Sequence, residues 1–172
     1  MAKEEKSMKT YRDLVFEEVR EKDIEVLTPI MKRAFDEDTR IHLGRNCGGP
    51  PGYDNGDFLR RYALDNASTS YKILKAGKVI GAIILWINTD TNHNFLGNVF
   101  IDPAEENKGI GKIVWDFVEH EFPNTEIWKT ETPIFSHRNH HFYINKCGFH
   151  VIKIENPKDI ETGSFILEKR MK

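Results

Sequence analysis

Cysteine is scarce in this chain. Cys47 and Cys147 are its only two, they lie far apart, and there is no Cys-x-x-Cys. That spacing excludes a disulfide framework and leads us to expect a reducing, cytoplasmic setting. An excess of either charge is also missing: 25 Lys plus Arg face 27 Asp plus Glu, for a formal net charge of −2. No global basic field exists to hold nucleic acid or an anionic membrane. Long hydrophobic runs are absent too. The longest, residues 79–87, is interrupted by Gly81 and is too short to span a bilayer. The opening Met1-Ala2-Lys3-Glu4-Glu5-Lys6 has basic residues but no apolar stretch behind them, so it does not read as a secretory signal. Neither an internal repeat nor a low-complexity segment occurs.

What is present is ordinary for a globular protein: 39% hydrophobic and 30% charged residues over 172 positions. That length fits one domain, here residues 11–172, behind a flexible tail at 1–10. Residues 14–19 read as a first strand. Leu27, Ile30, Met31, Ala34 and Phe35 fall on one helical face. Pro29 either opens that helix or sits in its first turns. Residues 36–56, rich in Gly and Pro, read as a long loop, and a loop of that length in a compact domain is often functional. A short helix carrying Phe58, Leu59, Tyr62 and Ala63 follows. Strands are expected at 69–74, 79–87 and 94–101, the first two joined by a tight turn at 75–78. Ile110, Ile113, Val114, Phe117 and Val118 mark the clearest helix, at 109–122. A strand at 125–130, a short helix at 139–147 closed by Gly148, and strands at 149–154 and 164–168 complete the order.

The most informative segment is Phe100-Ile101-Asp102-Pro103-Ala104-Glu105-Glu106-Asn107-Lys108-Gly109-Ile110-Gly111. An apolar strand runs into a charged, Pro-broken turn, and a helix opens directly out of the glycines. This aims several backbone N–H groups and the positive end of a helix dipole at one spot, which suits a phosphate or pyrophosphate. A lone Gly-x-Gly is weak evidence, and a plain strand-to-helix turn is its commoner meaning. Two familiar phosphate motifs do not fit. A dinucleotide fingerprint needs a third glycine where Val114 stands, and a P-loop needs Ser or Thr where Ile113 follows Lys112.

Downstream lies Asn139-His140-His141-Phe142-Tyr143-Ile144-Asn145-Lys146-Cys147-Gly148-Phe149. Together, the two segments resemble motifs A and B of the GNAT superfamily of acyl-CoA-dependent N-acyltransferases. Motif A usually reads Gln/Arg-x-x-Gly-x-Gly/Ala, and Glu106-Asn107-Lys108-Gly109-Ile110-Gly111 matches its two glycines and its place between strand and helix. Glu106 departs from it. Motif B is an Asn opening a helix that ends in Tyr-x-x-x-Gly-Phe. Here one residue too many separates Tyr143 from Gly148, so Ile144 occupies the usual tyrosine position unless the helix end absorbs the extra residue. The resemblance covers roughly residues 13–168.

The resemblance implies an α/β (α+β) fold. Its mixed, twisted central sheet would have about seven strands and about four flanking helices, with a splayed gap between the fourth and fifth strands. It implies acetyl transfer from acetyl-CoA to a primary amine by direct attack in a ternary complex. A non-catalytic acyl-CoA-binding or sensing module on the same fold is the alternative. The cofactor would be held by Phe100, Ile101, Asn107, Lys108, Gly109, Ile110, Gly111, Lys112 and Asn139. Tyr143 is the candidate general acid. Asp36, Asp38, Tyr53 and Asp54 are candidates for the acceptor site. His137, His140 and His141 invite a metal reading, but no acidic or cysteine partner accompanies them, and no metal is expected. The expected partner is a small-molecule or protein amine, not nucleic acid or membrane. A homodimer is compatible with the sequence.

Overall fold

The computed structural model describes residues 8–171. In chain order the elements are β1 (Met8–Tyr11), β2 (Leu14–Glu18), α1 (Ile24–Leu43), α2 (Asp57–Tyr62), β3 (Ser68–Lys75), β4 (Lys78–Trp86) and β5 (His93–Ile101). Then come α3 (Ile110–Glu121), β6 (Ile127–Pro133), α4 (His137–His140) with a π-helical continuation (His141–Lys146), β7 (His150–Glu155) and β8 (Ser164–Arg170). The strands form one eight-stranded sheet in the order β1-β2-β3-β4-β5-β6-β8-β7. The mixed sheet with flanking helices is the fold the sequence led us to expect, with β1 as an additional strand. Met8, Lys9 and Thr10, expected in the tail, pair with β2. Residues 1–7, the rest of that tail, lie outside the described residues. No described helix is long and apolar enough to cross a membrane.

The near-continuous apolar run of β4 has a simple cause: the strand is buried on both faces. Ile83 and Leu85 point into one core, shared with Val114, Phe117 and Val118 of α3 and with Phe16 of β2. Ala82 and Ile84 point into a second core, with Ile24, Leu27, Ile30 and Met31 of α1. The rings of Phe16 and Phe117 stack with centroids 3.7 Å apart, fixing α3 against β2. The turn between β3 and β4 places Ala76 (φ 49°) and Gly77 (φ 79°) in left-handed conformations, the geometry of a two-residue hairpin that follows the sheet's twist.

Helix α1 is longer than its apolar stripe. It continues through Asp36–Leu43, which the sequence assigns to a loop, and stops at Gly44 in the left-handed conformation (φ 66°). This extra stretch lacks a hydrophobic face. It is held by pairs three and four residues apart, Lys32 with Asp36 and Arg40 with Glu37, and by the buried Thr39 hydroxyl, which donates to Gly48 O at 2.9 Å. Pro29 lies within the opening turns.

The feature that positions the site is the parting of β5 from β6. They pair in parallel from His93↔Ile127 to Leu96↔Thr130 and no further. Beyond that point β5 stays with β4 and β6 stays with β8. A bulge sits at the fork: Ile84 pairs with Asn98 and Leu85 with Leu96, leaving Gly97 unpaired. Bulges bend the strand that carries them, so this one turns β5 away from β6. A Cβ at Gly97 would lie 2.7 Å from Trp86 Nε1, so a larger residue there would have to displace that ring.

Candidate functional site

The splay opens into a cleft of about 440 Å³ lined by β5, the turn after it, the start of α3, α4 with its π segment, and α1. On β5, the Asp102 N–H donates to Ile80 O of β4 at 2.7 Å. Strand alternation then turns the backbone groups of Ile101 and Val99 the other way, toward the open side. Phe100, expected to contribute backbone contacts, directs its own backbone at β4: its carbonyl is what a Cβ on Gly81 would strike. Val99, which alternates in phase with Ile101, turns its backbone to the open side instead.

At the other end of the cleft the glycine loop enters α3. Asn107 (φ 61°) and Gly109 (φ 74°) are both left-handed, and no side chain caps the helix N-terminus. Unsatisfied N–H groups of a first helical turn therefore face the cleft. Asp102 braces this loop. It accepts from Ala104 N–H at 3.1 Å and from Arg33 Nη2 of α1 at 2.7 Å. Burial raises its carboxyl pKa, but these donors outweigh burial and hold it below the ordinary value. The two glycines do different work. Gly109 has open space beside it and serves through its φ; at Gly111 a Cβ would lie 3.0 Å from Cε2 of Phe142 and would press on that ring.

Helix α4 answers the register problem in motif B. Over His141–Lys146 it winds as a π-helix, and Cys147 N–H donates to Phe142 O at 3.0 Å, five residues back. A π turn accommodates one residue more than an α turn. The extra residue is absorbed there: Tyr143 lines the cleft, while Ile144 packs against the core. Tyr143 is buried near Thr130, the last residue of β6 paired to β5, whose hydroxyl donates to Leu96 O at 2.9 Å. Burial pushes its hydroxyl pKa well above the ordinary value, with Cys147 and Asp38 adding to the shift and Thr130 opposing it. The hydroxyl is therefore protonated across the neutral range.

Most of the other expected residues converge here. Asn107, Gly109, Ile110, Gly111, Lys112, Asn139 and Asp38 line the cleft with Phe100, Ile101 and Tyr143. Lys108 does not; it pairs at 3.2 Å with Glu105, which lies on the cleft wall. Asp36, Tyr53 and Asp54 lie away from the lining. Asp36 is a loop anchor: its Oδ1 accepts from Tyr53 Oη at 2.6 Å and from Gly48 N–H at 3.1 Å. Asp38 is different. Its Oδ1 accepts from the buried Ser136 hydroxyl at 3.0 Å, with Arg138 Nη2 at 3.7 Å and His42 Nε2 at 3.4 Å. Burial pushes the pKa of His42 below 6.5, so its ring is neutral at pH 7.

Two residues outside the expected set matter, Glu106 and Arg138. Arg138 Nη1 donates to Glu106 Oε2 at 2.8 Å across the cleft. Burial raises the Glu106 carboxyl above the ordinary range despite Arg138, helped by Glu37 and Asp38. Arg138 directly precedes Asn139, but its partner lies 32 residues away, so no local signal marks the pair. His140 Nε2 contacts Pro133 O at 2.9 Å, His141 contacts Asn145 at 2.9 Å, and His137 stacks on His42 with its ring centroid 5.6 Å from that of His140. Burial pushes the Cys147 thiol up to about 12, and Cys47 is exposed away from the cleft, so neither is placed as a nucleophile.

The chain is similar to several known proteins. An uncharacterised protein of Bacillus subtilis (strain 168), YrkN, is 34% identical over 151 residues, covering 87% of this chain and 80% of the relative. Among solved structures, the PaiA N-acetyltransferase of Thermoplasma acidophilum in complex with coenzyme A superposes with TM-score 0.71 at 17% identity, covering 91% of this chain and 98% of the other. Spermidine N-acetyltransferase of Vibrio cholerae, in complex with CoA and spermine, gives 0.67 at 12% identity, covering 92% and 95%. These structural likenesses show the fold. Residues 31–149 match the Acetyltransferase (GNAT) family, and the chain belongs to it.

Proposed function

We propose that this chain transfers the acetyl group of acetyl-CoA to a primary amine by direct attack in a ternary complex. The observation that carries the reading is the placement of the protonated Tyr143 beside the fork of a cleft whose other end is an uncapped helix N-terminus. The unpaired backbone of Val99 and Ile101 and the first turn of α3 suit a long ligand with a peptide-like arm and a pyrophosphate. The coenzyme A and spermine bound to the Vibrio relative support the same pairing of ligands.

Acetyl-CoA supplies an activated thioester. The loop from Asn107 to Lys112 holds the anionic end through backbone N–H groups, and Asn139 contacts the arm. A gap-facing N–H of Val99 or Ile101 serves as hydrogen-bond donor to the thioester oxygen, a role worth about 2.7–4 kcal/mol in comparable acyl transfers. The amine must arrive neutral or lose a proton on the way. Asp38, whose charge is held in the cleft wall, receives the ammonium form and orients it. The bound ammonium first releases one proton to water; the neutral amine then forms the C–N bond, the C–S bond breaks, and the second proton on nitrogen also passes to water. The thiol leaves as thiolate, with a free pKa of about 8.5. Because the Tyr143 hydroxyl is less acidic than that thiol, it stabilises the departing sulfur as a hydrogen-bond donor. The test is to incubate the protein with acetyl-CoA and a panel of primary amines and follow thiol release. Release coupled to N-acetylation supports the proposal; acetyl-CoA binding with no release on any amine supports a binding module.

A further inference from the structure

The glycine loop begins with a carboxylate on the cleft wall, and that is a liability for a loop meant to hold an anion. Glu106 faces the same space as Gly109, Gly111 and Lys112. Left alone, its charge would repel a pyrophosphate. The cation that offsets it comes from the opposite wall. Arg138, opening α4, donates through Nη1 to Glu106 Oε2 at 2.8 Å and sets Nη2 3.7 Å from Asp38 Oδ1. Three elements, the loop, α4 and α1, are thus joined through one guanidinium, which itself lines the cleft. A guanidinium has five N–H donors in a fixed fork, so these contacts leave donors for a ligand.

We propose that Arg138 is a cofactor-positioning residue that neutralises Glu106 and presents its remaining donors to the anionic donor substrate. The inference rests on the acetyl-CoA reading above and adds a residue from outside the loop to it. Lysine would not replace it fully, because a point charge cannot face Glu106 and a second anion with fixed geometry at once.

The test is calorimetric titration of the whole protein with coenzyme A, comparing wild type with R138A, R138K, E106Q and the E106Q/R138A double variant. Each is first checked for an unchanged ligand-free melting profile. R138A should weaken binding at least tenfold and R138K less. E106Q should bind within about threefold of wild type. The double variant should recover much of what R138A loses, because the uncompensated carboxylate is gone. R138A alone should also lose less affinity than wild type as salt rises, since added salt screens the repulsion it exposes. A purely structural Arg138 predicts neither the recovery nor the altered salt response. A double variant as weak as R138A, or an R138A that binds like wild type, overturns the proposal. A wild type that binds no coenzyme A overturns the cofactor reading itself, and this inference with it.

Discussion

The N–H of Cys147 donates to the carbonyl of Phe142 at 3.0 Å, where a regular α-helix would join it to Tyr143. This one displaced bond separates Tyr143, which faces the cleft, from Ile144, which faces the core. Moving the phenol by one position should therefore fail. The double variant Y143F/I144Y should be no faster in acetyl transfer than Y143F alone, measured as initial thiol release. Recovery of activity by the double variant would place the functional register at residue 144.

Asp36 and Asp38 lie two positions apart on α1 and should behave differently. D36N removes the charged acceptor for Tyr53, Gly48 and Lys32, so it should cost about 1–3 kcal/mol of stability in urea unfolding. Its KM for the amine should change little. D38N should raise KM for the amine about tenfold or more, while coenzyme A affinity stays within a few-fold.

Asp102 ties the phosphate loop to α1 through Arg33, and its folded pKa lies below the ordinary value of 3.8. A depressed carboxylate binds fewer protons in the folded than in the unfolded state within that window. Its stabilisation is therefore complete above the unfolded value and is lost as pH falls through the folded one. Arg33 is half exposed, so solvent screening limits the contribution to about 1–2 kcal/mol. Urea unfolding of wild type and D102N should differ by that amount at pH 6 and converge as pH falls below the ordinary carboxylate value of 3.8.

The two loop glycines should respond differently to alanine. G109A meets open space and is charged only the left-handed strain, about 1–2 kcal/mol. G111A presses on Phe142, so trimming that ring should relieve it. A stability cycle with F142L should show coupling to G111A and none to G109A.

Strong local patterns were legible before the structure. The stripe of α3, the two-sided burial of β4, the Ala76-Gly77 turn and the glycine loop are each written within a dozen residues. Elements without such a pattern were not. The last two turns of α1 are polar and held by ion pairs, so they read as loop. Met8–Tyr11 is too short to show alternation. The site was partly visible: the loop and Asn139 line one cleft, and the surplus residue before Gly148 was visible as a mismatch. What turned the mismatch into a π turn is backbone hydrogen bonding. The Glu106–Arg138 pair and the Asp38 environment depend on contacts across the cleft, which no local spacing encodes.

The most direct test of the account is steady-state acetyl transfer by wild type and Tyr143→Phe on an amine from the panel, with coenzyme A affinity measured alongside. We predict kcat lower by on the order of 10²-fold in the variant, with coenzyme A affinity within about threefold of wild type. A variant as fast as wild type, with N-acetylated product still forming, would contradict the placement of Tyr143 at the reacting centre.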